Sequence, residues 1–362
     1  MPMNKATPAL AAALLFGAST PVAKLLVGDV APLLLAGLLY LGSGIGLGLV
    51  LAARRVSGRG TNATLRWTFP RQDLPWLAAA VLFGGILGPA LLMAGLAVTD
   101  AASASLLLNV EGVLTAALAW WVFKENADRS IVLGMLAIAA GGVLLAWVPG
   151  RVAFSPGALL VVAACACWAV DNNLTRKVST NDAVLVACVK GLTAGLVNSA
   201  LAIGTGASLP SLTVSAAVGV VGFLGYGVSL ALFVVGLRTL GAARTGAYFS
   251  IAPLFGVLLS FALWPQVPGP TFWAAAALMA AGLWLHLRER HEHVHSHVVL
   301  EHSHPHRHDA HHQHAHAAGV PPGEPHVHRH RHEPLTHAHP HYPDIHHRHD
   351  HRHDHRAERT DT

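Results

Sequence analysis

The stretch from Ala101 to Phe123 reads AASASLLLNVEGVLTAALAWWVF, and it decides the fold of this chain. Glu111 carries the one ionisable side chain in this stretch. An α-helix of about 20 apolar residues spans the hydrocarbon core of a bilayer, where backbone groups find no partner outside the helix. The stretch therefore predicts a membrane-spanning helix with a carboxyl group near its middle.

Similar apolar runs recur along most of the chain. The chain is 53% hydrophobic and only 12% Asp, Glu, Lys and Arg, whereas soluble domains carry about 25% charged residues. We therefore predict an all-α integral membrane protein with ten transmembrane helices. The expected spans are Thr7–Val27, Pro32–Ala53, Leu74–Val98, Ala101–Phe123, Ser130–Val148, Pro156–Lys177, Asp182–Thr205, Val214–Leu237, Ala242–Trp264 and Thr271–Leu287.

Two stretches in the first half of the chain have counterparts in the second half. The segment FGASTPVAK, beginning at Phe16, matches WAVDNNLTR, beginning at Trp168, in its aromatic and basic residues. The segment LNVEG, which contains Glu111, matches SIAP, which ends at Pro253. Each half holds five spans, an odd number, so the second copy enters the membrane upside down, as in many secondary transporters. The predicted domains are a first five-helix repeat (residues 1–148), an inverted second repeat (149–287) and a disordered tail (288–362).

Lys and Arg are concentrated in loops on one side of the predicted membrane. The loop after the second span carries five Arg residues between Arg54 and Arg71, whereas the loops of the opposite side carry Arg151 alone. Basic loops face the cytoplasm. We therefore predict a multi-pass protein of the bacterial inner (plasma) membrane with both termini in the cytoplasm. The basic excess belongs to these loops, so no nucleic-acid partner is expected.

The opening stretch, continued to Glu125, resembles the signature of the EamA-type branch of the drug/metabolite transporter superfamily. That family usually shows a Glu-Pro pair in the middle of the helix and a close similar to Gly-Glu-Arg. Here Gly112 replaces the proline, and the segment KEN, from Lys124, replaces the close. In the second half, TGAYFSIAPLF, beginning at Thr245, is similar to the family, with Gln266 at the place of a frequent acidic residue.

The resemblance covers residues from about Ala6 to Leu287. It implies a ten-helix permease with two five-helix repeats and a central cavity. It implies no particular substrate, because the family moves many solutes. The tail lies outside the family domain.

Two ionisable groups are expected close to the middle of the membrane, where such groups are costly and are functional candidates. Glu111 lies about ten residues into the fourth span and Lys190 about nine residues into the seventh. A Glu111–Lys190 pair facing a cavity would be the arrangement of lowest free energy. Either group could then bind substrate or couple transport to protons. The pair could instead be a structural lock. Asp171 is another possible partner for Lys190, and the sequence does not choose.

Asp171, Asn172 and Asn173 form a polar patch in the inner third of the sixth span. One interpretation is a hydrogen-bonding wall of the cavity. The other is a satisfied polar knot near the cytoplasmic interface. With Glu111 and Lys190, these residues make up the predicted substrate path.

All 26 histidines lie between His286 and His355. The tail holds too few apolar residues to build a core and is expected to be disordered. Imidazole groups suit Zn, Ni, Co and Cu, so labile metal sites are predicted there. The alternatives are a pH-responsive polycation and a tail without a function. The predicted ligands are His291, His293, His295, His297, His302, His304, His306, His308, His326, His328, His330, His332, His346, His347, His349, His351, His353 and His355.

The leading prediction is a secondary-active transporter that exports a small metabolite or drug-like solute by alternating access. Its partners would be the lipid bilayer and a small-molecule or ion substrate, and no cofactor would be required. The chain has no Gly-x-x-x-x-Gly-Lys loop for nucleotide phosphates, which favours coupling to protons or a solute gradient. No enzyme is expected, because the first 285 residues contain no His base.

Two alternatives stay open. The first is a divalent metal (Zn, Ni or Co) efflux permease, in which the tail binds metal ions and transfers them to the pore. Its weakness is that the spans hold few groups able to replace the water molecules around a hydrated metal ion. The second, from another class, is a membrane metal sensor or store without transport.

Overall fold

The computed structural model describes residues 6–56, 69–123, 129–147, 154–178, 181–240, 245, 248–265, 267–288, 292–297, 300–306, 326–332 and 335–340. The chain divides into two units, Met1–Glu289 and Arg290–Thr362. The described part of the first unit consists of helices and their connections. The described part of the second unit consists of short strands.

Thirteen α-helices lie in the described part of the first unit. In its first half they are α1 (Thr7–Leu26), α2 (Pro32–Val56), α3 (Leu74–Ala80), α4 (Gly88–Val98), α5 (Ala101–Leu107), α6 (Asn109–Phe123) and α7 (Arg129–Ala146). In its second half they are α8 (Pro156–Val178), α9 (Ala183–Gly204), α10 (Leu212–Gly222), α11 (Ser229–Leu240), α12 (Ala252–Leu263) and α13 (Pro270–Arg288).

Side-chain caps mark the starts of several of these helices. The Asp100 carboxylate accepts from the backbone N–H of Ser103 at 2.8 Å and begins α5. The Asp182 carboxylate accepts from two backbone N–H groups, at 2.9 and 3.0 Å, and begins α9. Ser211 begins α10 in the same way, over 3.3 Å. Each cap satisfies donors that the first turn of a helix leaves unpaired.

The predicted all-helical membrane body is confirmed. Seven described segments are long and apolar enough to cross a bilayer, and three shorter apolar helices accompany them: Val132–Ala146, Ala252–Leu263 and Pro270–Leu285. Large apolar side chains point outward, including Trp121 (84% exposed) and Leu49 (67%). Such a surface suits lipid rather than water. The exact number of ten crossings stays a prediction.

The third and eighth spans differ from the prediction of continuous α-helices. A π-helical segment, Val81–Leu87, joins α3 to α4, and a second one, Phe223–Val228, joins α10 to α11. Both segments are rich in glycine, with the sequences VLFGGIL and FLGYGV. The fourth span is also interrupted, since α5 ends at Leu107 and α6 begins at Asn109.

Pro89 gives a physical reason for the first interruption. Proline has no N–H, so it can donate neither to the carbonyl of Gly85 in an α pattern nor to that of Gly84 in a π pattern. Side chains of other helices supply the missing donors. The Tyr40 hydroxyl and the Trp168 indole N–H both donate to the Gly84 oxygen, at 2.7 and 3.0 Å. The Asn198 amide donates to the oxygen of Gly85 at 3.3 Å.

The crossing of α2 and α9 is a close backbone contact. A Cβ atom placed on Gly191 would lie 2.7 Å from the backbone nitrogen of Gly44, and one on Gly195 would lie 2.5 Å from that of Leu41. The two glycines are four residues apart on α9 and form the small-xxx-small pattern of tightly packed membrane helices. This crossing brings Tyr40 and Lys190 to the same part of the molecule.

The other main contacts each join a helix of the first half of the chain to a helix of the second half. Helix α1 packs against α11 and α12, and α8 packs against α4 and α6. Helix α7, the last of the first half, packs against α13, the last of the second half. Of these helices, α1, α6, α8 and α11 line the space that holds the candidate site.

The second unit contains two antiparallel ribbons. Strand β1 (Glu292–His297) pairs with β4 (Leu335–Pro340), and β2 (Leu300–His306) pairs with β3 (His326–His332). The His-x-His spacing has the two-residue period of a strand, although a lone two-stranded ribbon is marginally stable in water.

Candidate functional site

A cavity of about 130 Å³ lies among α1, α2, α6, α8, α9, α11 and the second π segment. Its polar lining side chains are Ser43, Glu111, Asp171, Asn172, Lys190 and Ser229. Its aromatic lining side chains are Phe16, Tyr40, Trp168, Tyr226, Phe233 and Phe249.

Lys190 of α9 forms an ion pair with Asp171 of α8. Both residues are buried, each with 6% of its surface exposed. The Thr175 hydroxyl donates to the other carboxylate oxygen of Asp171 at 2.9 Å. Of the two partners that the sequence allowed for Lys190, the structure therefore selects Asp171, and the expected Glu111–Lys190 pair is not formed.

Glu111 lies in the first turn of α6 and is half-buried. Its Oε1 accepts a hydrogen bond of 2.8 Å from the side-chain amide of Asn172, which also donates to the Thr115 hydroxyl at 3.3 Å. Among the described residues, no Lys or Arg lies within ion-pair distance of Glu111. Its carboxyl group therefore has a neutral donor as its partner.

The polar patch on α8 is divided between two roles. Asp171 and Asn172 line the cavity, as one interpretation of the sequence expected. Asn173 is buried, and its amide donates to the carbonyl oxygens of Ala169 at 2.9 Å and Thr115 at 3.3 Å. It fastens α8 to α6 and is absent from the described lining of the cavity.

The aromatic side chains form a connected group around Phe16. Ring centroids lie 6.0 Å from Phe16 to Trp168, 6.0 Å to Tyr226 and 5.4 Å to Phe249. The Tyr40 ring lies 5.4 Å from that of Tyr226. The sequence drew attention to Phe16 and Trp168 through the repeated segments, but nothing in it distinguished Tyr40 or Tyr226 from other membrane tyrosines.

The two tyrosines of this group differ in the hydrogen bonding of their hydroxyl groups. The Tyr40 hydroxyl donates to the oxygen of Gly84. The Tyr226 hydroxyl is buried and completes no hydrogen bond with the described residues. Ser19 lies close to it, but the Ser19 hydroxyl donates instead to the Phe16 carbonyl at 2.6 Å.

No group of three or more His, Cys, Asp or Glu able to hold a metal occurs where the structure describes side chains. Ten predicted tail ligands lie on strands: His293, His295, His297, His302, His304, His306, His326, His328, His330 and His332. The other eight lie outside the described residues: His291, His308, His346, His347, His349, His351, His353 and His355.

The strand register places several tail histidines opposite one another. In the β2–β3 ribbon, His302 faces His330, His304 faces His328 and His306 faces His326 across the strands. In the β1–β4 ribbon, His295 and His293 lie opposite His337 and His339. Directly opposite residues share one face of a ribbon. The backbone thus collects histidines that are far apart in sequence.

The model of the EamA-like transporter family matches residues 6–147 and again residues 155–288. An uncharacterized transporter of Methanothermobacter thermautotrophicus is 28% identical over 265 residues, which cover 70% of this chain and 77% of the relative. The uncharacterized transporter YyaM of Bacillus subtilis is 27% identical over 217 residues, covering 55% and 70% respectively. A solved crystal structure of 22% sequence identity aligns with a TM-score of 0.58 over 78% of this chain and 96% of that one, which shows a shared fold.

Proposed function

The chain belongs to the EamA-like transporter family, and we propose on that premise that it is a secondary-active permease exporting a small metabolite or drug-like solute. It would work by alternating access in the bacterial inner membrane, with both termini in the cytoplasm, and would perform no enzymatic reaction. The observation that carries this proposal is the cavity in which Glu111, Asp171 and Lys190 meet six aromatic side chains. Ionisable groups are rare at such depth and mark solute or proton paths.

The contacts around the π segments support an organisation into two inverted repeats, residues 1–148 and 149–287. A Cβ atom on Gly84 would overlap the Asp171 side chain, and one on Gly225 would meet Ser19. Ser19 and Asp171 stand at the same place in the two matching segments that begin at Phe16 and Trp168. The same contact between a π-segment glycine and a partner helix thus occurs in both halves. Inverted repeats place the substrate site at their interface.

We assign the coupling role to Glu111. The Asp171 carboxylate is engaged by Lys190, whereas the Glu111 carboxyl group has a neutral amide for a partner and faces the cavity. A carboxyl group with no fixed counter-charge can gain and lose a proton as the cavity changes its access. Lys190, Asp171 and Asn172 would line the path beside it.

Transport by the full-length chain in sealed vesicles tests this proposal. We expect uptake or release of a driven solute that Glu111→Gln abolishes, because glutamine keeps the acceptor for Asn172 but holds no exchangeable proton. Asp29→Asn is the matched control, since Asp29 is an exposed acid in the loop after α1. Full transport by the Glu111→Gln protein would remove the coupling role. A chain that moves no solute under any gradient would leave only the membrane sensor or store.

Divalent metal efflux is the second candidate, and the opposed histidines of the two ribbons favour it. Histidines at opposed register positions of a ribbon would hold Zn, Ni, Co or Cu, and the tail would deliver the ion to the cavity. Cells carrying a chain truncated after Arg290 would then lose tolerance to one of these metals relative to the full-length chain. Unchanged tolerance would refute efflux through the tail.

A further inference from the structure

The charges that line the cavity do not cancel. Two carboxyl groups, of Glu111 and Asp171, face one ammonium group, of Lys190, among the described lining residues. Lys190 and Asp171 are paired with each other. Ionised, the three groups leave one negative charge, and geometry places it on Glu111.

The partner of Glu111 inside the protein is too weak to neutralise it. Asn172 donates one neutral hydrogen bond to Oε1. A carboxylate has about four acceptor positions, so most of its hydrogen-bonding capacity is unused by the described side chains. A half-buried carboxylate without a cation is costly, and a cationic group on a solute would relieve that cost.

The aromatic side chains also favour a positively charged solute. The faces of Trp, Tyr and Phe rings carry negative potential and attract cations within about 6 Å of the ring centre. Six such rings line the cavity, and Phe16, Trp168, Tyr226 and Tyr40 stand in a continuous chain of ring contacts. The rings also offer an apolar surface for the body of a ligand.

Other charge classes fit less well. An anion would meet the Glu111 carboxylate, and the one lining ammonium group among the described residues is already occupied by Asp171. A zwitterion would gain at Glu111 but would have to separate the buried Lys190–Asp171 pair to place its own carboxylate. Separating a buried pair is strongly unfavourable, because it leaves each charge without its partner. A neutral solute would leave Glu111 without a counter-charge.

We infer that the cavity binds organic monocations that have an aromatic or apolar body and a single amine or ammonium group, with Glu111 as counter-ion and the aromatic side chains around the body. This inference rests on the proposed transport function and names its substrate class. The Lys190–Asp171 pair stays closed in this complex and forms a polar wall.

The test is a set of four probes with closely similar bodies and different charges: 2-phenylethylamine, 2-phenylethanol, 3-phenylpropionate and phenylalanine. At neutral pH they are cationic, neutral, anionic and zwitterionic. The thermal unfolding midpoint of the full-length chain in detergent is measured against the concentration of each probe at constant ionic strength. We expect half-saturation by the amine at a concentration at least about tenfold below that of the other three.

Glu111→Gln should remove this preference, with the amine losing about tenfold or more in apparent affinity while 2-phenylethanol is unchanged. Asp29→Asn, which removes an exposed acid instead, should keep the preference. Equal or tighter binding of the anion, the neutral probe or the zwitterion by the unaltered chain would overturn the inference, as would no response to the amine. The order of the four probes is measured on the unaltered protein, so it decides the matter even if Glu111→Gln does not fold.

Solute movement in vesicles separates this inference from the transport function. A protein that carries anionic or neutral solutes refutes the cationic class and leaves the transporter standing. A protein that binds the amine but moves no solute supports the cationic site and refutes transport.

Discussion

The indole N–H of Trp168 donates to the carbonyl oxygen of Gly84 across 3.0 Å and so holds α8 to the first π segment. The matching position in the first half of the chain is Phe16, whose ring has no donor. Among the described residues, no side chain donates to the carbonyl groups of the second π segment, Phe223–Val228. The two halves of the cavity therefore differ in how firmly their π segments are held.

Trp168→Phe is expected to lower the free energy of unfolding by about 1 kcal/mol, the usual net value of one hydrogen bond. Combined with Tyr40→Phe it should cost more than the sum of the single changes, because Gly84 then has no side-chain donor. Denaturant titration in mixed micelles measures each value. Tyr226→Phe is the control, since its hydroxyl completes no hydrogen bond with the described residues, and it should be neutral. Additive single changes would show that the two donors act independently.

Lys190→Met should destabilise the protein by about 3–5 kcal/mol, because it leaves the Asp171 carboxylate buried without its cation. Asp171→Asn added to Lys190→Met should restore much of that stability. The free energy of unfolding and the transport activity in vesicles are measured for both variants. Together they distinguish a pair that only stabilises the fold from one that takes part in the solute path. Restored stability with restored transport would reduce the pair to a lock.

Gly195→Ala and Gly191→Ala are each expected to cost about 1–3 kcal/mol, because the new methyl group would press on the backbone of α2. Gly204→Ala, on the same helix, is the matched control. A Cβ atom at Gly204 meets no atom within 4 Å, so this change should be neutral or slightly stabilising. Thermal unfolding midpoints of the three variants decide the comparison. An equal effect of all three would rule out close packing as the cause.

Changing His302, His304, His328 and His330 together to Ala should weaken the tightest Zn²⁺ site of the full-length chain by at least about tenfold. These four lie in two directly opposed pairs of the β2–β3 ribbon. Changing four other tail histidines, His346, His347, His349 and His351, removes the same number of imidazoles and should have a smaller effect. Calorimetric titration with Zn²⁺ measures both. Equal losses would mean that histidine content, and not strand register, sets the affinity.

Much of the membrane body could be predicted from sequence because its signal is local. The apolar run that begins at Thr7 predicted α1 to within one residue of its end at Leu26. The π segment between α3 and α4 was missed, although Gly84, Gly85 and Pro89 together give a recognisable signal. Two glycines followed by a residue without an N–H favour an interrupted helix.

The partner of Lys190 could not be predicted, because it depends on the rotation of α8 and α6 about their own axes. Glu111 and Asp171 are both expected at about the depth of Lys190 in the membrane. The sequence gives this depth but not the direction in which each side chain points. Tyr40 and Tyr226 were missed for the same reason, since a tyrosine that faces a cavity has the same local sequence as one that faces lipid. Opposed histidines in the tail follow from strand pairing across 19 or more intervening residues, the shortest case being His306 with His326.

The close contact between α2 and α9 extends along both helices, since a Cβ atom on Gly37 would lie 2.6 Å from the backbone nitrogen of Ser199 and one on Gly44 would overlap that of Leu192. Helices whose backbones touch along several turns have little room to tilt against one another, because a tilt in either direction would press one end of the contact together. Lys190 stands next to Gly191, at the point of contact, and Tyr40 supplies a backbone oxygen 3.0 Å from the position of a Cβ on Gly191. We therefore expect α2 and α9 to move together as one body, so that Lys190 keeps its position relative to Tyr40 whenever the other helices shift.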